Sequence, residues 1–399
     1  MDPTFAQLPT TIFEVMSALA RQTGAINLGQ GFPDGAGPED VRAVAAQAVM
    51  HGSNQYPPMA GLPELRMAVA AHYRRFQGLD LDWASEVTIT SGATEALAAS
   101  IFALVSPGDE VVVFEPVYDA YVPLVRRAGG TVRTIRLCPP RWEIREDDLN
   151  HAFNSRTRLV ILNNPLNPTG TVFDETQLTR LADRCFRYNV TAITDEVWEH
   201  VTFDGRRHMP LIGLPGMRDR TVKIGSAGKI FSLTGWKVGF ICAAPALTQV
   251  IAKAHQFLTF TTPPNLQTAV AFGLAKEEGY FAGMRADFAR SRDRLATGLS
   301  EAGFAVLPSH GTYFLSIDLA ASGIACGDEM FCRRAVQEAG VAAIPLSAFY
   351  GTPPDSAVVR LCFAKSDATL DLGIERLARA RALILAELGP LTPGATSAN

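Results

Sequence analysis

The strongest constraint on this chain is a repeated pattern, in which short and almost continuously apolar runs alternate with amphipathic stretches of helical period. Val87-Thr88-Ile89-Thr90, Glu110 to Phe114, Arg158 to Leu162, Val190 to Thr194, Thr221 to Ile224 and Val238 to Ala243 read as strands. Strands apolar on both faces belong to a sheet covered on both sides, so the pattern predicts an α/β fold around a mostly parallel, mixed sheet flanked by helices. Helices are expected after Pro63, where Leu65, Val69, Tyr73 and Phe76 recur at helical spacing, and from Ala93 to Val105. Beyond Gly279 the texture changes. Strands at Phe304 to Leu307, Tyr313 to Ile317, Val341 to Pro345 and Val358 to Phe363, with helices around Asp328 to Ala339 and from Asp367, predict a smaller α+β unit. A chain of 399 residues suits two domains, and the Gly, Pro, Ser and Thr-rich end from Leu388 to Asn399 is expected to fray.

Composition removes several classes of function. Lys plus Arg number 36 and Asp plus Glu 40, a formal charge of −4, which argues against nucleic-acid binding through a general basic field. With 47% hydrophobic residues the chain has ample material for a core, and disorder is excluded. The six cysteines contain no CxxC pair, so neither a disulfide framework nor a zinc site is indicated. No apolar run reaches membrane-span length and no signal pattern opens the chain, so a cytoplasmic protein without membrane partners is expected. Gly29-Gln30-Gly31-Phe32-Pro33-Asp34 fails as a dinucleotide fingerprint, because Asp34 stands where the third glycine belongs. The histidines lack paired metal-ligand spacing, and no GxSxG elbow is present.

Three other segments carry chemistry. In Thr90-Ser91-Gly92-Ala93-Thr94-Glu95-Ala96 a strand ends, a glycine turn follows and a helix begins, which makes either an anion site or an ordinary serine N-cap. Val190 to Trp198 delivers Asp195 at the C-terminal end of an apolar strand, where open α/β sheets bind ligands; such an acid also commonly just caps a helix. Ile224 to Lys237 sets Lys229 between Gly/Ser residues and an apolar patch. A lysine there either snorkels to the surface or, once desolvated, loses its proton and becomes a Schiff-base nucleophile.

Taken together with Asn54-Gln55-Tyr56, Asn163 to Gly170 and Val359-Arg360-Leu361-Cys362-Phe363, these segments resemble the fold-type-I, class I pyridoxal-phosphate aminotransferases. The resemblance runs from about Thr11 to about Leu377 and is greatest to the kynurenine/glutamine/methionine aminotransferase group, whose members often show cysteine-conjugate β-lyase activity. It implies pyridoxal 5'-phosphate as cofactor, held by Lys229 as an aldimine, with Lys229 also moving the substrate α-proton. Asp195 would lie beneath the pyridine nitrogen, Asn167 would bond the phenolic oxygen and Tyr118 would stack on the ring. Gly92, Ala93, Thr94, Ser226 and Lys237 would hold the phosphate, joined by Tyr56 of a neighbouring subunit. Arg360 would grip the substrate α-carboxylate through its two-point fork, with Gly31 and Asn167 beside it. Phe13 and Phe260 would wall the side-chain pocket, Phe260 crossing from the other chain of a homodimer. The resemblance also implies an N-terminal arm (1–17), a small domain (18–42 and 279–399) and a large cofactor-binding domain (43–278).

One position departs from the family. Where a tyrosine usually follows the aspartate by three residues, this chain has Trp198, whose indole N–H donates but neither accepts nor ionises. The expectation is that Trp198 keeps the hydrogen bond to the phenolic oxygen while changing the proton affinity of the aldimine. The reading is a ping-pong aminotransferase acting on methionine, glutamine, aromatic or kynurenine-like donors and a 2-oxo acid. Its alternatives are a C–S β-lyase using the same lysine and a succinyl-diaminopimelate aminotransferase, which needs a cation for a second carboxylate.

Overall fold

The computed structural model describes residues 3–390; the tail 391–399, most of the segment expected to fray, lies outside them. A seven-stranded sheet holds β1 (Val87–Thr90), β2 (Glu110–Glu115), β3 (Thr131–Arg136), β4 (Thr157–Asn163), β5 (Thr191–Asp195), β6 (Thr221–Ser226) and β7 (Gly239–Ala243). Their order across the sheet is β1-β7-β6-β5-β4-β2-β3, and only β7 runs antiparallel to its neighbours. The apolar runs explain the layering: β1, β2, β6 and β7 are buried at every position, with helices packed over them. Because β1, β4, β5 and β6 point the same way, their C-terminal ends gather along one edge of the sheet. Thr90, Asn163, Asp195 and Ser226 therefore finish side by side.

A second, four-stranded antiparallel sheet contains β8 (Ala305–Val306), β9 (Phe314–Asp318), β10 (Ile344–Pro345) and β11 (Val358–Cys362), in the order β10-β11-β9-β8. Arg360 lies on β11 opposite Ser316 and Ile344, in the middle of that sheet. Two departures from the sequence reading have clear causes. The edge strand β3, Thr-Val-Arg-Thr-Ile-Arg, has no strand signature in the sequence, because an edge strand keeps polar side chains and lacks the continuous apolar run. The run Val341 to Pro345 is not one strand. Val341–Ala342 pairs with Ile26–Asn27 in a separate parallel ladder, while Ile344–Pro345 joins the small sheet. No helix among the described residues is long and apolar enough to cross a membrane.

Candidate active site

A cavity of about 370 Å³ opens at the shared edge of strand ends and is closed from the other side by β9, β11 and the 30–32 segment. It brings together Phe13, Gly31, Gly92, Ala93, Thr94, Tyr118, Asn167, Asp195, Trp198, Ser226, Lys229, Lys237 and Arg360. Tyr56 and Phe260 are not in its lining. They pack edge-to-face on each other with ring centroids 5.4 Å apart and are 83% and 40% exposed.

Asp195 ends β5 with its carboxylate fully enclosed. Oδ2 accepts a 2.6 Å hydrogen bond from the Tyr121 hydroxyl, whereas Oδ1 is buried without any partner. Burial pushes this carboxyl up, against the hydrogen bonds from Tyr121 and the Val197 backbone. Asn163 anchors the turn that follows β4: its Nδ2 donates to the Asp195 carbonyl at 2.8 Å and its Oδ1 accepts from the Asn167 N–H at 2.7 Å. Asn167 is thereby presented to the cavity, where its Oδ1 accepts from Arg360 Nη1 at 3.1 Å.

Lys229 sits in the single helical turn Ala227–Ile230 that follows β6. Its Nζ is 3.2 Å from the Tyr313 hydroxyl and 4.7 Å from the Trp198 ring centre, and no carboxylate among the described residues is bonded to it. Burial brings the ammonium down to about 8, with Asp195 opposing and Arg360 and Lys237 assisting. A lysine in that state exchanges its proton close to neutral pH, which suits it to nucleophilic and proton-transfer work.

The start of the helix Gly92–Leu104 resolves the ambiguity of the Ser91 motif. Ser91 makes no side-chain cap; its hydroxyl pairs instead with Thr262 at 3.2 Å. Gly92 has φ +79°, a left-handed geometry that disfavours other residues, and a Cβ there would meet Lys237 Nζ at 3.3 Å. First-turn amides, the Ser226 hydroxyl and the Lys237 ammonium thus line one cradle of positive potential.

Arg360 is 1% exposed, and its hydrogen bonds go to the Asn167 side chain and, at 2.6 Å, to the Gly29 carbonyl rather than to a carboxylate. Its Nε has no partner, and burial brings the guanidinium down to about 10. The cation lies 4.0 Å from the Phe314 ring centre and 5.1 Å from that of Phe13. Gly31 leaves room for the ring of Phe314, since a Cβ there would meet Phe314 Cζ at 2.7 Å and displace it. Tyr118 is pushed up to about 12, first by burial and then by Asp119 and Asp195.

This donor set fits one cofactor. An orphaned buried carboxylate oxygen could accept from a proton-bearing ring nitrogen, a helix start with a hydroxyl and an ammonium could hold a phosphate, and a lysine brought down by burial could react with an aldehyde. The family described as aminotransferase class I and II matches residues 23–377. The chain belongs to that family. The aminotransferase is 45% identical over 379 residues to a probable N-succinyldiaminopimelate aminotransferase of Mycobacterium tuberculosis, covering 92% of this chain and 95% of that one. It is 43% identical over 372 residues to the methionine aminotransferase of Escherichia coli, covering 93% and 96%. The solved structure of Escherichia coli YbdL, described as having a methionine aminotransferase function, superposes with a TM-score of 0.92 at 41% identity, over 95% of this chain and 99% of that one. The expected fold-type-I architecture and dependence on pyridoxal 5'-phosphate follow for this aminotransferase.

Sequence reasoning missed Tyr121, Tyr313 and Phe314. Tyr121 had a weak signal, since it follows Tyr118 by three residues and the two rings meet edge-to-face at 5.6 Å. Tyr313 and Phe314 had none, because each reads as an ordinary strand aromatic.

Proposed function

We propose that this aminotransferase takes an apolar or uncharged L-α-amino acid of the methionine type as amino donor. The observation that carries the reading is the balance of the cavity wall. Phe13, Phe32, Trp198 and Phe314 give it aromatic surface for an uncharged side chain, and its cations among the described residues are Lys229, Lys237 and Arg360. Each cation has an assignment, at the reacting amine, the phosphate and the α-carboxylate, so this chain's own residues leave none for the second carboxylate of a succinylated diamine. Kinship to the methionine aminotransferase supports the same reading, as does 34% identity to the human kynurenine–oxoglutarate transaminase 1.

When bound, pyridoxal 5'-phosphate supplies the carbonyl that receives the amino group and a ring that spreads charge from the substrate α-carbon. Asp195 Oδ1 would accept from the ring nitrogen while Tyr121 holds Oδ2 in place. Arg360 would fork onto the α-carboxylate, exchanging its bond to the Gly29 carbonyl for a charge-assisted pair. Lys229 would take the substrate α-proton and deliver it to the carbon on the far side of the amino nitrogen, two atoms away. Phe13, Trp198 and Phe314 would exclude water, so that the proton is not lost.

A homodimer with shared sites is part of the proposal. Phe257, Tyr56 and Met50 are 86%, 83% and 74% exposed, which suits a covered face. Tyr56 and Phe260 would reach the partner's cavity from there. A cytoplasmic location and the division into an arm (1–17), a small domain (18–42 and 279–399) and a large domain (43–278) complete it. The seven-stranded sheet between Val87 and Ala243 and the smaller sheet between Ala305 and Cys362 support the two domains, while the boundary after residue 17 falls inside the helix Ile12–Thr23.

The test is a half-reaction. Methionine, glutamine, phenylalanine, kynurenine and N-succinyl-diaminopimelate are each added alone to the holoenzyme, and the cofactor's visible band is followed. Stoichiometric bleaching by methionine, reversed by a 2-oxo acid, is expected. Bleaching by the succinylated diamine in preference to methionine would sink the donor assignment, and steady pyruvate release from a cysteine conjugate would favour the lyase.

A further inference from the structure

Beside Lys229 stands the hydroxyl of Tyr313. Tyr313 is 1% exposed, with its ring edge-on to Trp198 at 4.3 Å and to Phe314 at 4.9 Å between centroids. Its main chain is tied on both sides. Phe363 N–H donates to the Tyr313 carbonyl at 3.0 Å, and Phe314 N–H donates to Thr312 Oγ1 at 3.1 Å. A ring held this firmly can place its oxygen accurately.

The hydroxyl hydrogen of Tyr313 is committed to the Gly31 carbonyl, so towards Lys229 Nζ, 3.2 Å away, the oxygen acts only as acceptor. Nζ also lies 4.7 Å from the centre of the Trp198 ring, which has no lone pair to offer in hydrogen bonding. Tyr313 is therefore the group that fixes where the N–H bonds of Lys229 point, and consequently where its lone pair points once a proton has left. Through Gly31 the same hydroxyl ties the amine to the segment at the carboxylate end of the cavity.

We propose that Tyr313 is a positioning residue for amino transfer, its hydroxyl orienting the Lys229 amine and raising that amine's affinity for a proton. The proposal rests on the assignment of Lys229 made above. An oxygen that accepts from Nζ favours the ammonium over the free amine, opposing burial. Without it the ammonium should become more acidic and the amine less well aimed.

Tyr313→Phe deletes the hydroxyl and keeps the ring. The first readout is the pH dependence of acetylation of Lys229 by acetic anhydride in the full chain freed of cofactor, followed by mass spectrometry. The midpoint is expected to fall by about one unit, the size of shift that one modest charge-assisted hydrogen bond produces. In the holoenzyme kcat should fall about tenfold, in the range typical of losing alignment, with a smaller change in KM for methionine. Trp198→Phe, which keeps both an aromatic face and the Tyr313 hydroxyl, should shift the midpoint less. An unmoved midpoint in Tyr313→Phe, or equal shifts in the two variants, would overturn the proposal even if turnover dropped. Failure of the underlying assignment reads differently, since pyridoxal 5'-phosphate would then give Lys229 no protection from acetylation in the unmutated protein.

Discussion

Asp195 and Glu196 are consecutive residues, and Lys223 and Lys229 belong to one strand and the helical turn that follows it, yet each pair divides between two regions that treat charge in opposite ways. On one side of the sheet, Lys223 Nζ is fully buried and lies 2.6 Å from both Glu196 Oε2 and Glu199 Oε2. Glu196 also bonds His208 at 2.7 Å, and Glu199 accepts from the Tyr73 hydroxyl at 3.0 Å and from Gln77 at 2.6 Å. Lys223 is raised by those two carboxylates against its burial, and Glu196 is held down to about 2 because Lys223 and His208 outweigh its own burial. Glu196, Glu199 and His208 lie at metal-ligand spacing, but the lysine already serves as their cation. On the cavity side nothing of the kind has happened. Asp195 keeps an unpartnered oxygen, Arg360 an unpartnered Nε, and Lys229 has been pushed down towards the free amine.

Structural and working charges are told apart by how completely they are satisfied. Buried charges that satisfy one another hold the fold and have no capacity left for a ligand. Buried charges left incomplete cost stability, and are tolerated where a ligand completes them.

The largest effect that would test the contrast is on turnover. Lys229→Ala should lower kcat by at least ~10²–10⁴-fold, the scale of losing a proton-transfer group, while leaving urea unfolding of the cofactor-free chain unchanged or slightly delayed. A large loss of stability would show that Lys229 belongs with the structural charges. Lys223→Met should do the reverse. Removing one partner strands two buried carboxylates and costs about 3–5 kcal/mol in urea unfolding, with the cofactor band still formed by the molecules that remain folded.

Acid separates the carboxylates. Glu196 is depressed in the folded state, so its contribution is complete above the unfolded value near 4.3 and is lost as pH falls from about 5 through about 2. In Glu196→Gln that part of the acid limb of the stability profile should disappear, and an unchanged limb would place the acid-labile contact elsewhere. Asp195 carries the opposite sign. Its folded value is raised, so ionisation at neutral pH costs stability, a cost relieved as pH falls through that raised value. Asp195→Asn should therefore stabilise the cofactor-free chain at pH 7 by about 1 kcal/mol while depressing kcat, the smallest of these effects. Destabilisation instead would mean that the carboxylate is satisfied in the empty protein.

Much of the site was legible because its parts lie at strand ends. Asp195, Ser226 and Lys229 follow apolar runs directly, and Gly92 and Asn167 stand in turns that glycine and proline announce. Tyr121 and Tyr313 were hidden, since what singles them out is a contact across 74 residues to Asp195 and across 84 residues to Lys229. Ser91 was ambiguous because its choice between capping a helix and bonding Thr262, 171 residues away, depends on packing.

Local pattern thus determined the α/β layering, the positions of the inner strands and the chemistry delivered at their ends, because hydrophobic period and turn residues act over a few neighbouring positions. Tertiary structure alone decided which charge does what. In the sheet Thr194 faces Lys223 and Asp195 faces Ile224. Glu196, the first residue past the strand end, turns to pair with Lys223, while Asp195 turns to the cavity. One residue of register separates a paired carboxylate from a waiting one, and register is set by how strands from distant parts of the chain pack together.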